Sequence, residues 1–206
     1  ILNDLKSLRI LGKPVLVGIS RKAFIGELLG KSKPEELLFG SLSATAIAVY
    51  NGAHLIRTHD VKETLEIVRV AEKIRRKQLA FKQGKFECEI IDFINSPEIL
   101  KLYLRKLDVS KEGAEIMSEK GIYLTILVRN ITHIQANIIK QEMLASGGDA
   151  AIPAEMVDGH LTKGDILILS TIAQLKKVIK KLKKMPWNLS KIGVLLENVI
   201  SASIMK

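Results

Sequence analysis

Two short apolar runs, Val15-Leu16-Val17 and Leu55-Ile56 within residues 54–57, end abruptly in hydroxyl-bearing and cationic side chains. A run that is apolar without alternation predicts a strand buried on both faces, as in a parallel sheet. Leu2–Leu11 reads as the end of a helix, and Gly12-Lys13-Pro14 turns the chain into the first strand. Ser41 or Ser43 is expected to cap a helix through Ala44–Tyr50, which Asn51-Gly52 stops. The second strand, His54–Arg57, leads to a helix over Val61–Lys77 with Asp60 as its carboxylate cap and Leu65, Val68, Ala71 and Ile74 along one side. Strand, helix, strand, helix predicts two βα units and an α/β fold.

The polar stretch Lys82-Gln83-Gly84-Lys85 interrupts this pattern and is read as a junction between a domain over 1–80 and one over 86–206. Beyond it the periodicity predicts a strand at Glu87–Phe93, a helix opened by Ser96-Pro97 and running to Leu107, and a helix at Lys111–Ser118. A strand at Tyr123–Arg129 and a helix from Thr132 to Ala145, stopped by Gly147-Gly148, follow. Short strands at Ala150–Ile152 and Ile166–Leu169 and helices at Thr171–Lys184 and Ser190–Ala202 complete a second α/β module. No internal repeat stands out.

Composition narrows the class. With 206 residues, 47% of them hydrophobic, the chain has enough apolar surface for one ample core or two small ones. No apolar stretch approaches the roughly 20 residues that span a bilayer. The single cysteine, Cys88, has no partner for an internal disulfide and no zinc-type spacing around it, so it is expected to be a small buried hydrophobe in a cytoplasmic protein. Beginning at Ile1 within a helical pattern suggests a missing upstream segment. The net charge of +10 is spread over both halves. Its densest cluster, Lys176, Lys177, Lys180, Lys181, Lys183 and Lys184, alternates with Ile172, Leu175, Ile179 and Leu182 as the solvated face of an amphipathic helix. A nucleic-acid surface there is the rival reading, weakened by an aromatic content of 4%.

Groups just beyond the carboxyl ends of neighbouring parallel strands share one rim, the usual ligand position of parallel α/β sheets. If the two strands are neighbours, Ser20, Lys22, Arg57, Thr58 and His59 converge there, offering two fixed cations, an imidazole and hydroxyl donors to an anion or a polar heterocycle. The competing reading ties Arg57 and His59 to Asp60 or another local acid. Gly26–Ser32 imitates a phosphate-binding loop but has three residues between its glycines where that motif has four, and Gly18-Ile19-Ser20 lacks the second glycine of a nucleophile elbow. His133 and His160 read as surface or helix-start residues, Gly147-Gly148-Asp149 as a cap and turn, and Glu142, Asp149 and Asp158 lack metal-ligand spacing.

Residues 18–26 (GISRKAFIG), 40–44 (GSLSA), Gly52-Ala53 and Arg57–Asp60 with Glu63-Thr64 resemble, in order and spacing, the carboxyl-terminal part of the dihydropteroate synthases, a pterin-binding barrel family. The resemblance covers residues 1 to about 77 and implies the last two βα units of a (β/α)8 TIM barrel. It implies condensation of a dihydropterin methyl diphosphate with 4-aminobenzoate, releasing pyrophosphate with the help of magnesium. Lys22 would contact the pterin and lie near the aminobenzoate, Arg57 would stack on the pterin and hold diphosphate, and Thr58 and His59 would join that site. Ala23 stands where the family commonly has a serine that helps to hold the aminobenzoate carboxylate. The family's amino-terminal motifs, which hold magnesium and much of the pterin, have no counterpart here, so the metal ligands are expected outside this chain. Lys140–Ala151 resembles an accessory module that precedes the barrel in some bacterial members. The chain alone is therefore expected to be incomplete, associating with a complementary barrel segment or with itself. A pterin-dependent methyltransferase of the same fold and a non-catalytic interaction protein are the alternatives.

Overall fold

The computed structural model describes residues 2–75 and 80–204, and divides the chain into two compact units, Ile1–Phe93 and Ile94–Lys206. Both are mixtures of helix and strand, so the α/β reading holds. No helix among the described residues is long and apolar enough to cross a membrane.

The first unit opens with a 3-10 helix at Leu5–Leu11, where a longer helical run was expected, closed by Gly12 in the left-handed region (φ 62°). Strand β1 (Leu16–Val17) is followed by helix α1 (Ala23–Leu29), a 3-10 turn at Pro34–Leu37 and helix α2 (Leu38–Tyr50). Strand β2 (Leu55–Ile56) then lies parallel to β1, pairing Leu16 with Leu55 and Val17 with Ile56. Leu5, Ile19, Ile25, Leu37, Ala44, Ala48 and Ala53 form the core beneath this pair. Gly40 admits the close approach of α2 to α1: a Cβ there would overlap Ile25 Cγ2 and stand 2.9 Å from Leu29 Cδ1.

Several expectations are corrected. Ser41 and Ser43 cap nothing, because the 3-10 turn runs directly into α2 three residues before Ser41. The strands pair in parallel as expected but are not buried on both faces: Leu16 is 57% and Leu55 52% exposed, since among the described residues this sheet has two strands. Asp60 precedes helix α3 (Val61–Ile74) without a side-chain cap bond. On α3, Thr64 and Ala71 are buried, whereas Leu65 and Ile74 of the expected apolar side are exposed. Residues 76 and 77 of the expected helix lie outside the described residues.

The polar stretch at 82–85 is the turn of an antiparallel hairpin, β3 (Ala80–Gln83) with β4 (Phe86–Glu89). All eight strand residues are exposed, Cys88 among them, so the expected burial of that thiol is wrong. The structural division falls later than the 80/86 junction because the tail after the hairpin is fastened back: Asp92 pairs with Arg9 at 2.8 Å and Lys6 at 3.4 Å, and the Arg9 guanidinium lies 5.3 Å from the Phe93 ring centre.

In the second unit, helix α4 (Pro97–Lys106) starts at Ser96, whose hydroxyl accepts the Ile99 N–H, and helix α5 (Lys111–Ser118) starts at Ser110 in the same way. Strand β5 (Tyr123–Thr132), helix α6 (His133–Ala145), strand β6 (Asp149–Ala151), the short helix α7 (Ala154–Val157), strand β7 (Lys163–Thr171) and helices α8 (Ile172–Leu182) and α9 (Leu189–Ile204) follow. The strands form an antiparallel sheet in the order β5-β7-β6. Val128, Ile166, Ile168 and Ala150 share one core with Ile139 and Met143 of α6, Leu175 and Val178 of α8, and Leu196 and Ile200 of α9.

An unexpected recurrence lies in how two of these helices begin. Thr132 and Thr171 each accept the N–H of the glutamine three residues on, while that glutamine's side-chain oxygen accepts the threonine N–H, a reciprocal capping box. The free ends cross over: Gln135 Nε2 donates to the carbonyl of Trp187, beyond α8, and Gln174 Nε2 donates to the carbonyl of Gly147, beyond α6.

Candidate functional site

The loops leaving β1 and β2 are joined side by side because the strands are parallel neighbours. The Arg57 N–H donates to Val17 O at 2.9 Å, and at the opposite end His54 Nδ1 accepts the Val15 N–H at 3.0 Å. Gly18 follows β1 where a side chain would crowd Arg57: a Cβ there would stand 3.0 Å from Arg57 Nε and 3.1 Å from Nη2. The Arg57 guanidinium thus rests over bare backbone at the first loop.

Ser20 and His59 meet. The buried Ser20 hydroxyl accepts the His59 backbone N–H at 3.3 Å and lies 3.0 Å from His59 Nδ1. This suits the tautomer in which the serine O–H donates to Nδ1 and the exposed ring carries its proton on Nε2. Thr58 is committed locally: its hydroxyl accepts the Asp60 N–H at 3.2 Å and is bonded to Thr64 at 3.0 Å. Lys22 caps α1 through its backbone, with an exposed side chain, and Ala23 is the first residue of that helix.

Asp60 does not take up Arg57 or His59. Its carboxylate is held from two sides by Arg21, with Nη2 2.6 Å from Oδ1 and Nε 3.3 Å from Oδ2. Arg21 sits in the left-handed region (φ 57°), its N–H donating to the buried Ser41 hydroxyl at 2.9 Å. The hydrogen bond to Asp60 raises the Arg21 pKa above its ordinary value, against the opposing effect of desolvation, so the guanidinium is held in its charged form. The remaining ion pairs of this unit involve Lys6, Arg9 and Lys82, and among the described residues neither Lys22 nor Arg57 joins one. A guanidinium, an ammonium and an imidazole therefore accompany an Asp60 already paired with Arg21, whose charge Glu35 also feels. Such a rim attracts anions. The sequence pattern gave Arg21 no role and read Ser41 as a helix cap rather than as the acceptor of the Arg21 N–H. The signal available was Asp60 itself, one acid among four neighbouring cationic or titratable side chains.

Residues 1–59 match the family profile described as Pterin binding enzyme, a span that includes Ser20, Lys22, Arg57 and His59. These residues resemble a pterin binding enzyme. The dihydropteroate synthase of Escherichia coli is 58% identical over 59 residues, which is 29% of this chain and 21% of that protein. That of Synechocystis is 40% identical over 76 residues, 37% of this chain and 26% of that protein. A solved dihydropteroate synthase from Coxiella burnetii, in complex with pteroic acid, is 50% identical with a TM-score of 0.35, covering 36% of this chain and 27% of that one. The chain thus spans about a fifth to a quarter of the curated relatives it matches.

The second unit offers less. Helix α8 buries Ile172, Leu175, Val178, Ile179 and Leu182, as its pattern predicts, and its lysine face is partly neutralised. Lys176 pairs with Glu119, Lys181 with Glu142 at 2.5 Å, and Lys183, just past the helix, with Glu197 at 2.5 Å. His133 opens α6, and His160 is exposed, 3.8 Å from Asp158. An open cleft of about 400 Å³ at the start of α6 is lined by Thr132, His133, Gln135, Lys163 and Trp187, among others. The His133 and Gln135 amides there already donate to Thr162 O and Thr132 Oγ1, which leaves little of the anion affinity of a bare helix start.

Proposed function

We propose that this chain carries the cationic part of a dihydropteroate synthase-type site. It binds the diphosphate of a dihydropterin methyl diphosphate and condenses the pterin with 4-aminobenzoate. The observation that carries the reading is the state of Arg57 and His59, which stand beside the β1 loop with the nearby carboxylate of Asp60 already held by Arg21. In the reaction, the bond from the pterin methylene to the diphosphate oxygen breaks, a bond from that carbon to the aminobenzoate nitrogen forms, and the amine releases a proton to water. Charge accumulates on the departing pyrophosphate. Arg57 and the His59 Nε2–H act there by donating to phosphate oxygens, and the Lys22 ammonium by contact with the pterin and its field. With Ala23 in place of a serine, backbone N–H groups at the start of α1 take the aminobenzoate carboxylate.

Among the described residues no group of three His, Cys, Asp or Glu could hold a metal ion. The rim itself offers cations and one carboxylate paired with Arg21, so its residues do not fit magnesium. The finer architecture follows the same reading: residues 1–80 are the last two βα units of a (β/α)8 barrel, completed by a complementary segment or a second copy, and the second unit is an accessory domain. The exposed Leu16 and Leu55 and the free edges of the β1–β2 pair support this.

The test is calorimetric titration of the chain with a dihydropterin diphosphate and with a methylated folate. Dihydropteroate formation is then assayed with and without a polypeptide supplying the missing barrel strands. Diphosphate-dependent binding, weakened about tenfold or more in Arg57→Gln and His59→Ala, is expected. Preference for the methylated folate would transfer the reading to a methyltransferase, and binding of neither ligand would refute it.

A further inference from the structure

Of residues 18–22 and 57–60, which make up the two loops of the rim, Asp60 is the only acid. Left unpaired, it would stand three residues from Arg57 and next to His59 in the chain, an opposing charge beside both. The structure meets it with Arg21, a two-pronged partner held in a left-handed backbone conformation that L-residues adopt at a cost. Two anchors hold Arg21 there: the Asp60 carboxylate on its side chain and the buried Ser41 hydroxyl on its N–H. The side chain of Asp60 is 16% exposed against 33% for Arg21, so the acid is the more enclosed partner.

We propose that Arg21 is a positioning residue that acts through Asp60, serving as the resident counter-ion that keeps Arg57 and His59 free for an incoming diphosphate. The inference rests on the anion reading of the rim given above. It differs from a simple clasp between loops in one consequence. A clasp fails when either partner is lost, whereas a counter-ion is needed only while the acid is present.

The experiment titrates the full chain with inorganic pyrophosphate at low ionic strength, comparing wild type with Arg21→Gln, Asp60→Asn, the double variant and Arg21→Lys. A second readout, in protein without added anion, is the ¹⁵N NMR signal of the Arg57 Nε–H. Arg21→Gln is expected to weaken pyrophosphate binding about tenfold or more, and to shift the Arg57 signal and slow its exchange as Asp60 turns to it. Asp60→Asn and the double variant should bind within about twofold of wild type or tighter, with an unshifted Arg57 signal. Arg21→Lys keeps the charge and should stay near wild type, which covers the case in which the glutamine variant does not fold. Equal losses in Arg21→Gln and Asp60→Asn would overturn the inference in favour of a clasp, as would wild-type affinity and an unchanged Arg57 signal in Arg21→Gln. If wild type itself binds no pyrophosphate, the anion reading fails, while the Arg57 signal still decides whether Arg21 shields it from Asp60.

Discussion

At the scale of single residues, Gly18 and Asp149 carry testable consequences of different kinds. Gly18→Ala places a methyl group 3.0 Å from Arg57 Nε, so the guanidinium must shift by a few tenths of an ångström against the first loop while the fold persists. Diphosphate affinity should fall severalfold with a melting temperature little changed, checked by calorimetry and thermal unfolding. Asp149 titrates below the ordinary aspartate range, chiefly because its Oδ1 accepts the Ala150 N–H at 2.7 Å and also because Lys140 lies 3.3 Å away. A depressed carboxyl stabilises the fold fully above the unfolded-state pKa of about 3.9 and loses that contribution as pH falls through its lower folded value. Denaturation midpoints of wild type and Asp149→Asn should therefore differ at pH 5 and converge toward pH 2; parallel curves would contradict this.

At the scale of elements, the capping boxes give the clearest expectation. Thr132→Ala and Thr171→Ala should each destabilise the protein by about 1 kcal/mol, measured by urea unfolding. Gly40→Ala, which drives a methyl group into Ile25 and Leu29, should cost about 1–3 kcal/mol in the same assay. Most helices of the second unit were legible because their start signals are local: Ser96-Pro97 opens α4 and Thr171 opens α8, each followed by an amphipathic run. Ser41 misled because the same serine that can cap a helix can also sit inside one, and Pro34 starts the turn upstream that feeds α2. Of the hairpin at 80–89, the expected strand at Glu87–Phe93 ends at Glu89 and its partner β3 was missed, since its polar turn looks like a linker when its exposed strands bury nothing. The recurrence of threonine caps rests on two positions per occurrence, too few to register as a repeat.

At the scale of the whole molecule, the two units should differ in autonomy. Residues 94–206 enclose a continuous core that includes fully buried Ile139, Met143, Ile168 and Leu175, and as a separate fragment they should unfold cooperatively in a thermal scan. Residues 1–93 alone, with Leu28, Phe39, Leu16 and Leu55 in solvent, should bind a hydrophobic dye and self-associate. The placement of Arg57 and His59 was legible because strand ends are fixed by the apolar runs before them. Which cation would claim Asp60 was not: Arg21, Lys22 and Arg57 are all candidates in the chain until a left-handed turn at Arg21 aims one of them. The crossed glutamines of the second unit have a dynamic counterpart. Since each helix head is moored to the segment trailing the other, fraying beyond α8 should loosen the first turn of α6, and fraying beyond α6 the first turn of α8. Hydrogen exchange at these distant ends should rise and fall together, and Gln135→Ala should speed it beside Trp187 as well as at its own helix.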